Sequence, residues 1–215
     1  MLDLVDPEDS FAVIGRESDT YVYGNILIND FDQTPHSTNM IHFGGDTGAT
    51  EMYRQNLHFY HNTLVTINGM RDRGWRTSYF DLPTGEQTVY LTNNIFDRHG
   101  DAFLYLMRSG GGHAVLNGVN WFNHDWSPAE NSQYHPFSGT VISNGIVLAG
   151  TGSPLRDVFQ YDFRLKANSS AIDVAAPFNV PLEHQPTTEY APHFADQPRV
   201  LVGAGLDIGA WEYRQ

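Results

Sequence analysis

The fold class this sequence predicts is an all-β solenoid of parallel strands, and three observations predict it. The first is a recurring asparagine-centred segment: Tyr23-Gly24-Asn25-Ile26-Leu27, Tyr60-His61-Asn62-Thr63-Leu64, Thr92-Asn93-Asn94-Ile95-Phe96 and Gly118-Val119-Asn120-Trp121-Phe122, with a looser fifth copy at Ile142-Ser143-Asn144-Gly145-Ile146. Successive asparagines lie 37, 32, 26 and 24 residues apart, and self-similarity at such periods marks units that bury their apolar faces only against one another. The second is the texture of the chain. Short runs rich in Val, Ile, Tyr, Phe and Thr are separated by Gly, Asn, Asp and Pro, and no stretch reads as a long amphipathic helix. The third is size and composition: 215 residues, 40% hydrophobic and 13% aromatic, suffice for one domain with a sizeable core and do not describe a disordered chain.

Each repeat holds at least two strands. The first leads into the asparagine, and alternation assigns its faces. With Val22, Phe59 and Leu91 inward, Thr20, Leu57 and Val89 also point inward. Tyr21, His58 and Tyr90 then point outward and stack repeat on repeat, and Tyr23, Tyr60 and Thr92 form a second outward column. The second strand follows a turn, in Met40-Ile41-His42-Phe43, Ser78-Tyr79-Phe80-Asp81 and Phe103-Leu104-Tyr105-Leu106. There Phe43, Phe80 and Leu106 are expected inside, with His42, Tyr79 and Tyr105 outside. Asn25, Asn62, Asn94 and Asn120 are placed at one corner. Asparagine tolerates the left-handed backbone of a sharp turn, and stacked amides can bond from coil to coil. Parallel strands joined by wide turns make a parallel β-helix of about five coils over residues 1–149.

From about residue 150 the repeat fades. Pro154, Pro177, Pro181, Pro186, Pro192 and Pro198 punctuate an irregular stretch, so residues 150–215 are expected to form a cap of the same domain that covers the last coil. At the other end Leu2, Leu4, Val5, Phe11, Ala12 and Val13 read as strand residues with nothing before them to cover them. This suggests a start inside a longer ancestral array, and either a cap supplied by another subunit or a homodimer through the uncapped N-terminal coil.

Net charge is −13, from 12 basic and 25 acidic residues. Nucleic acid is therefore not an expected partner, since phosphate binding needs clustered Lys and Arg. An acidic surface suits Ca²⁺, which takes carboxylate and carbonyl oxygens. Cysteine is absent, which rules out disulfides, thiolate catalysis and Cys-type zinc sites. No apolar run of about 18 residues exists, so no membrane span is expected, and Met1-Leu2-Asp3-Leu4-Val5-Asp6 lacks the basic and apolar regions of a signal peptide.

The closing segments Tyr161-Asp162-Phe163-Arg164-Leu165-Lys166, Ser169-Ser170-Ala171-Ile172-Asp173 and Gly205-Leu206-Asp207-Ile208-Gly209-Ala210-Trp211-Glu212 resemble the C-terminal end of right-handed parallel β-helix proteins of the pectate-lyase-like superfamily. Ile41-His42-Phe43-Gly44-Gly45-Asp46 and Leu57-His58-Phe59-Tyr60-His61-Asn62-Thr63-Leu64-Val65 are similar to its coils, so the resemblance covers most of the chain. It implies a right-handed helix, a polysaccharide partner and an extracellular or periplasmic location. The superfamily includes polysaccharide lyases, glycoside hydrolases, epimerases and phage tailspikes.

Lyase chemistry abstracts a proton beside a uronate carboxylate. It needs a cation on that carboxylate and a base. Lys166 is the only lysine, so the base would be Arg, His or Tyr. Arg71, Arg73 and Arg76, with Asp72 and Trp75, follow the second asparagine repeat and suit an acidic sugar, with Trp75 stacking on its ring; they suit a solvated loop with Arg–Asp pairs as well. Arg73 and His58 are the catalytic candidates. Tyr21, Tyr23, Tyr60, Tyr90, Arg71, Trp75 and Arg76 are the candidates for binding sugar. His titrates near neutral pH, which suits proton transfer; stacked aromatics also stabilise neighbouring strands without any function. Asp46 and Glu51, with Arg54 nearby, could hold Ca²⁺ at the Gly44-Gly45-Asp46 turn, where turn chemistry is the plainer reading. Asp97-Arg98-His99-Gly100-Asp101 and Asn123-His124-Asp125-Trp126 are loop clusters for ion pairs or a divalent metal. No phosphate loop, dinucleotide fingerprint, zinc-protease motif or nucleophile elbow is present.

Three readings follow. One is a polysaccharide lyase acting on uronate polymers by β-elimination. The alternative is a non-catalytic glycan-binding or structural portion of a larger surface or tailspike-like protein. The third is an inverting hydrolase, whose carboxylates would stand about 6.5–9.5 Å apart, with Asp81 and Asp97 as the outward-facing candidates.

Overall fold

The structure, a computed structural model, describes residues 2–3, 19–30, 39–44, 56–67, 77–99, 104–109, 111–123, 140–191 and 195–214. The protein is all-β. Its repeats supply β1 (Leu2–Asp3); β2 (Asp19–Tyr23), β3 (Ile26–Asp30) and β4 (Asn39–His42); β5 (Asn56–Tyr60), β6 (Thr63–Ile67) and β7 (Thr77–Leu82); β8 (Thr88–Thr92), β9 (Ile95–Arg98) and β10 (Leu104–Ser109); β11 (His113–Asn117) and β12 (Val119–Asn123); and β13 (Thr140–Ser143) and β14 (Ile146–Gly150). Among the described residues these form three parallel sheets, ordered β1-β4-β7-β10, β2-β5-β8-β11-β13 and β3-β6-β9-β12-β14. Parallel neighbours cannot be joined by a tight hairpin. Between β2 and its neighbour β5 the chain instead passes through strands of the other two sheets.

The first-strand register matches the alternation. Thr20 pairs with Leu57 and Leu57 with Val89, Tyr21 with His58 and His58 with Tyr90, Val22 with Phe59 and Phe59 with Leu91. Leu57, Phe59, Val89 and Leu91 are fully buried in a core shared by the three sheets. Phe59 meets Phe80 edge-on at 5.2 Å, and Phe96 stacks on Phe122 at 4.5 Å.

The second strand matches expectation on one side only. Phe43, Phe80 and Leu106 are fully buried, as expected, and Phe80 pairs with Ile41 and Met107. Tyr79 and Tyr105, expected outside, are buried, and Tyr79 packs edge-on against Phe96. The physical reason is that Met40-Ile41, Tyr79-Phe80 and Leu106-Met107 are apolar at consecutive positions, so period-two alternation does not choose a face.

The third sheet is covered on both sides. Leu64, Phe96 and Phe122 face the shared core. Val65, Ile67, Ile95 and Trp121 face a second core, completed by Leu155, Val158, Phe163, Leu165, Ala171 and Ile208 of the C-terminal segment. Strands buried on both faces read as continuous apolar runs, as Thr63–Ile67 does. The C-terminal segment itself holds two antiparallel pairs, β15 (Leu155–Asp157) with β16 (Asp162–Leu165) and β17 (Thr188–Ala191) with β18 (Ala195–Pro198).

The asparagines form a ladder. The Asn25 amide donates to Asn62 Oδ1 (3.1 Å), that of Asn62 to Asn94 Oδ1 (3.3 Å) and that of Asn94 to Asn120 Oδ1 (3.1 Å). The same oxygens accept the backbone N–H groups of Asn25, Asn62 and Asn94. No side-chain bond among the described residues links Asn144 to this ladder. The left-handed residue is not the ladder asparagine, as its turn chemistry suggested, but the position after the first strand: Gly24, His61, Asn93 and Gly118 all have positive φ. Between Asn93 and Ile95 stands one residue, whereas two separate Gly118 from Trp121, so β12 carries an extra residue there.

This left-handed row is where the C-terminal segment is fastened. Asn93 donates to the Ala176 carbonyl (2.8 Å) and accepts from Ala176 N–H (3.0 Å), Gly209 N–H donates to the Asn93 carbonyl, and Ala210 N–H donates to Thr63 Oγ1. Gly209 has φ +87°, and a Cβ there would stand 2.6 Å from Ile95 Cδ1, so glycine is required on both counts.

His61 is fully buried in this row, and Asn93 Nδ2 donates toward its Nε2 at 3.2 Å. Burial above all, and then Arg199, hold its pKa well below the ordinary imidazole value, against the opposing backbone of Asp207 and Gly209. The unfolded chain therefore protonates first, and stability contributed by neutral His61 is present above the ordinary value of about 6.5 and lost as pH falls below it, by up to ~1.4 kcal/mol per pH unit. His61→Asn, which keeps a residue tolerant of positive φ, is expected to flatten the fall in urea-unfolding free energy between about pH 7 and pH 5. Equal slopes in the two proteins would show that His61 is not the linked group.

Candidate functional site

The outer face of the second sheet carries one aromatic column. Tyr21 stacks on His58 at 4.8 Å and His58 on Tyr90 at 5.3 Å, with rings within 12° and 14° of parallel. His184 closes the other face of Tyr21 at 4.0 Å. Neighbouring strands lie about 4.8 Å apart, which is also a ring-stacking distance, so in-register aromatics stack without strain. One chemical consequence follows. The inner ring faces are already occupied, and the column presents ring edges and polar atoms to a ligand.

Behind the column lies a carboxylate. Asp19 and Asn56 are register partners on β2 and β5, two residues before Tyr21 and His58, and so on the same face. Asn56 Nδ2 donates to Asp19 Oδ1 (2.8 Å), His58 Nε2 lies 3.1 Å from Asp19 Oδ2, and the Tyr21 hydroxyl donates to Oδ2 at 3.4 Å. Partial burial pushes the Asp19 pKa up, but the Asn56 amide, His58 and Tyr21 together bring it below the ordinary carboxylate value. Burial and then the Asp19 charge push the Tyr21 phenol up. The result is an ionised Asp19 beside an imidazole whose other edge is free to meet a ligand, an arrangement suited to moving a proton.

The second column, expected outward, is instead covered. Tyr23 and Tyr60 stack at 5.0 Å, Phe178 tilts against Tyr60 at 4.9 Å, and the Tyr60 hydroxyl donates to the His184 carbonyl. Tyr60 is only 1% exposed, because residues 178–184 dock along it, and that burial raises its phenol pKa above the ordinary value. The same docking builds a groove. Pro177, Phe178, Asn179 and Val180 form one wall of a cavity of about 320 Å³, with His58, Tyr90, Thr92 and Asn117 opposite. Its lining contains no Arg or Lys. It offers ring edges, a hydroxyl, amides and one imidazole.

The structure thus brings Tyr21, His58, Tyr60 and Tyr90 to one place, with Tyr23 beside them. Arg71, Arg73, Trp75, Arg76, Asp46 and Glu51, and with them Arg54, Asp101, His124, Asp125 and Trp126, lie outside the described residues. Asp97, read as an outward carboxylate, is fully buried. The C-terminal segment reaches over it: Ser153 donates its hydroxyl to Oδ2, His99 Nε2 lies 2.9 Å from the same atom, and Asn123 donates to Oδ1 at 3.4 Å. That environment withdraws it from service as a hydrolase carboxylate. Among the described residues no group of three His, Asp or Glu could hold a metal ion, and no helix is long and apolar enough to cross a membrane.

Asp19, Asn56, Phe178 and Asn179 were not singled out from sequence. For Asp19 and Asn56 a signal existed, since alternation places both on the face of Tyr21 and His58. Phe178 and Asn179 sit in a proline-punctuated stretch with no period to read. Comparison of the chain with protein-family models, with curated proteins and with solved structures gives no match.

Proposed function

We propose that this protein is a right-handed parallel β-helix that binds a glycan in the groove between His58, Tyr90 and the 177–180 wall. The β-helix reading is supported by the chain's passage through three parallel sheets in turn and by the asparagine ladder that ties one repeat to the next. One observation carries the glycan reading: a groove of about 320 Å³ lined by aromatic edges, Asn117, Asn179, Thr92 and the His58 ring, with no Arg, Lys, Asp or Glu in its lining. Amides and hydroxyls around aromatic carbon match a sugar's alternating hydroxyls and C–H faces. Calorimetric titration of the protein with a panel of neutral and uronate polysaccharides tests it. At least one polymer should bind, and Tyr90→Ala, which opens one side of the groove and leaves the Tyr21–His58 stack in place, should weaken it about tenfold. No binding across the panel, or unchanged binding in the variant, would remove the proposal.

A second reading is favoured by one observation, the 3.1 Å approach of Asp19 to His58. In a polysaccharide lyase His58 would take the proton beside a uronate carboxylate while Asp19 orients the ring and stabilises its cationic form. The charge-neutralising cation would then come from Arg71, Arg73 or Arg76, or from Ca²⁺ at Asp46 and Glu51. Incubation with uronate polymers, with and without Ca²⁺ and chelator, should generate the ultraviolet absorbance of unsaturated uronates. His58→Gln should abolish it, and Asp19→Asn should reduce kcat about 10²-fold or more. A flat trace on every polymer would leave binding alone.

A further inference from the structure

A second pocket lies wholly within the C-terminal segment, on residues that the groove does not use. It encloses about 420 Å³ between β15–β16 and β17–β18. One wall is aromatic: Tyr190 and Trp211 stack at 5.9 Å and 28°, the Trp211 indole N–H is fixed on the Tyr190 carbonyl, and Tyr161 stands at the rim, 57% exposed.

Three arginines and three carboxylates line it, and most of them are already paired. Arg164 grips Asp162 through two bonds of 2.7 and 2.6 Å, Arg214 pairs with Glu189, and Glu212 is taken by Arg199 from behind. Arg156 alone lines the pocket without a carboxylate partner among the described residues. It is nevertheless held in place, because its Nε donates to the Leu165 carbonyl (3.2 Å) and one Nη2 hydrogen to the Arg214 carbonyl (3.1 Å). Those two bonds use one side of the guanidinium and leave N–H groups of the fork for a ligand. A guanidinium held by two carbonyls, near enough to Asp162 to lower its pKa but not ion-paired with it, stands beside stacked aromatic rings and makes an anion site with an apolar wall.

We propose that this pocket binds a carboxylate carried on a six-membered ring, Arg156 taking the carboxylate and Trp211 and Tyr190 covering the ring. The pocket has the volume for a single ring with its substituents. Acidic sugars and aromatic acids share this chemistry.

The indole N–H resonance of Trp211, assigned by its loss in Trp211→Phe, reads the pocket directly by NMR. Galacturonate and benzoate are titrated separately, with galactose and acetate as probes of the ring and the carboxylate alone. A saturable shift with galacturonate identifies an acidic sugar, and one with benzoate alone identifies an aromatic acid; either supports the proposal when galactose leaves the resonance in place and acetate binds about tenfold more weakly. Arg156→Gln should weaken that binding about tenfold or more, since a charge-assisted hydrogen-bonded pair is lost. No shift with either ring acid overturns the proposal, as does an equal response to galactose or to acetate, or unchanged affinity in Arg156→Gln. The unsubstituted protein decides the ligand arms, so a misfolded variant does not shelter the idea. Trp211 is not among the residues that line the groove, so failure here and failure of the glycan reading are seen separately.

Discussion

Replacing Asn94 by alanine is expected to lower the unfolding free energy by about 4 kcal/mol, since each buried polar group left without a partner costs roughly 1–3 kcal/mol. Asn94 is fully buried and works in both directions along the ladder. Its Oδ1 accepts the Asn62 N–H at 2.9 Å and the Asn62 amide at 3.3 Å. Its Nδ2 donates to the Phe59 carbonyl at 2.9 Å and to Asn120 Oδ1 at 3.1 Å. Alanine strands the Asn62 N–H and the Phe59 carbonyl in a corner that water does not reach, and leaves a void where the amide stood. Asn25, at the exposed end of the ladder, makes only donor bonds to Tyr23 and Asn62 through its side chain. Asn25→Ala should therefore cost about 1 kcal/mol or less. Urea unfolding of both variants measures the contrast. Equal losses would mean that the amides decorate the corner without holding it.

That ladder was legible in the sequence because a single residue type at a repeating position has few alternative explanations. The register of Tyr21, His58 and Tyr90 was legible for a related reason: the first strand alternates cleanly, and a shift by one residue would send Leu57 and Phe59 to solvent. Legibility ended where alternation ended. Tyr79-Phe80 and Leu106-Met107 are apolar on both faces, so Phe43, Phe80 and Leu106 were rightly placed inside while Tyr79 and Tyr105 were wrongly sent outside. Thr63–Ile67 is buried throughout, and nothing in that run tells that one of its faces meets Leu155, Phe163 and Ile208 far along the chain. The candidate site divides in the same way. Its rings were visible, whereas Asp19 was not singled out although alternation places it on their face, and the wall at Phe178 depends on long-range docking that has no local signature. The left-handed corner residue was misassigned, by one position in three repeats and by two at Asn120, because asparagine suits positive φ well. Here the neighbouring Gly24, His61, Asn93 and Gly118 adopt it, which frees the ladder asparagines to keep their amides in line.

The docking of the C-terminal segment should depend most on Arg199, and Arg199→Met is expected to cost about 3–5 kcal/mol, the usual penalty for breaking a buried ion pair on one side. Arg199 and Glu212 have no exposed side-chain surface and pair at 2.7 Å. The guanidinium also donates to the carbonyls of Gly209 (3.1 Å) and Asp207 (2.9 Å), so one residue holds the turn whose Gly209 and Ala210 bond to Asn93 and Thr63. Methionine fills the space and leaves Glu212 buried without a counter-charge. Burial already pushes the Glu212 pKa up, with Arg199 the main restraint against it. In the variant the folded value rises further above the unfolded one. The native state then holds the proton over a wider range, and the stability deficit is small below the ordinary carboxylate value of about 4.3 and grows as pH rises through the elevated folded value. Thermal unfolding should accordingly show a gap between the two proteins that is narrow near pH 4 and wide near pH 8, roughly. Arg199→Met with Glu212→Leu should regain most of the loss, because a buried pair replaced on both sides is nearly neutral. A gap independent of pH, or no recovery in the double variant, would assign the loss to packing of the Arg199 stem and not to its charge. Because the same segment carries the 177–180 wall, weaker docking should also lower affinity in the groove, by a factor that tracks the loss of stability across pH.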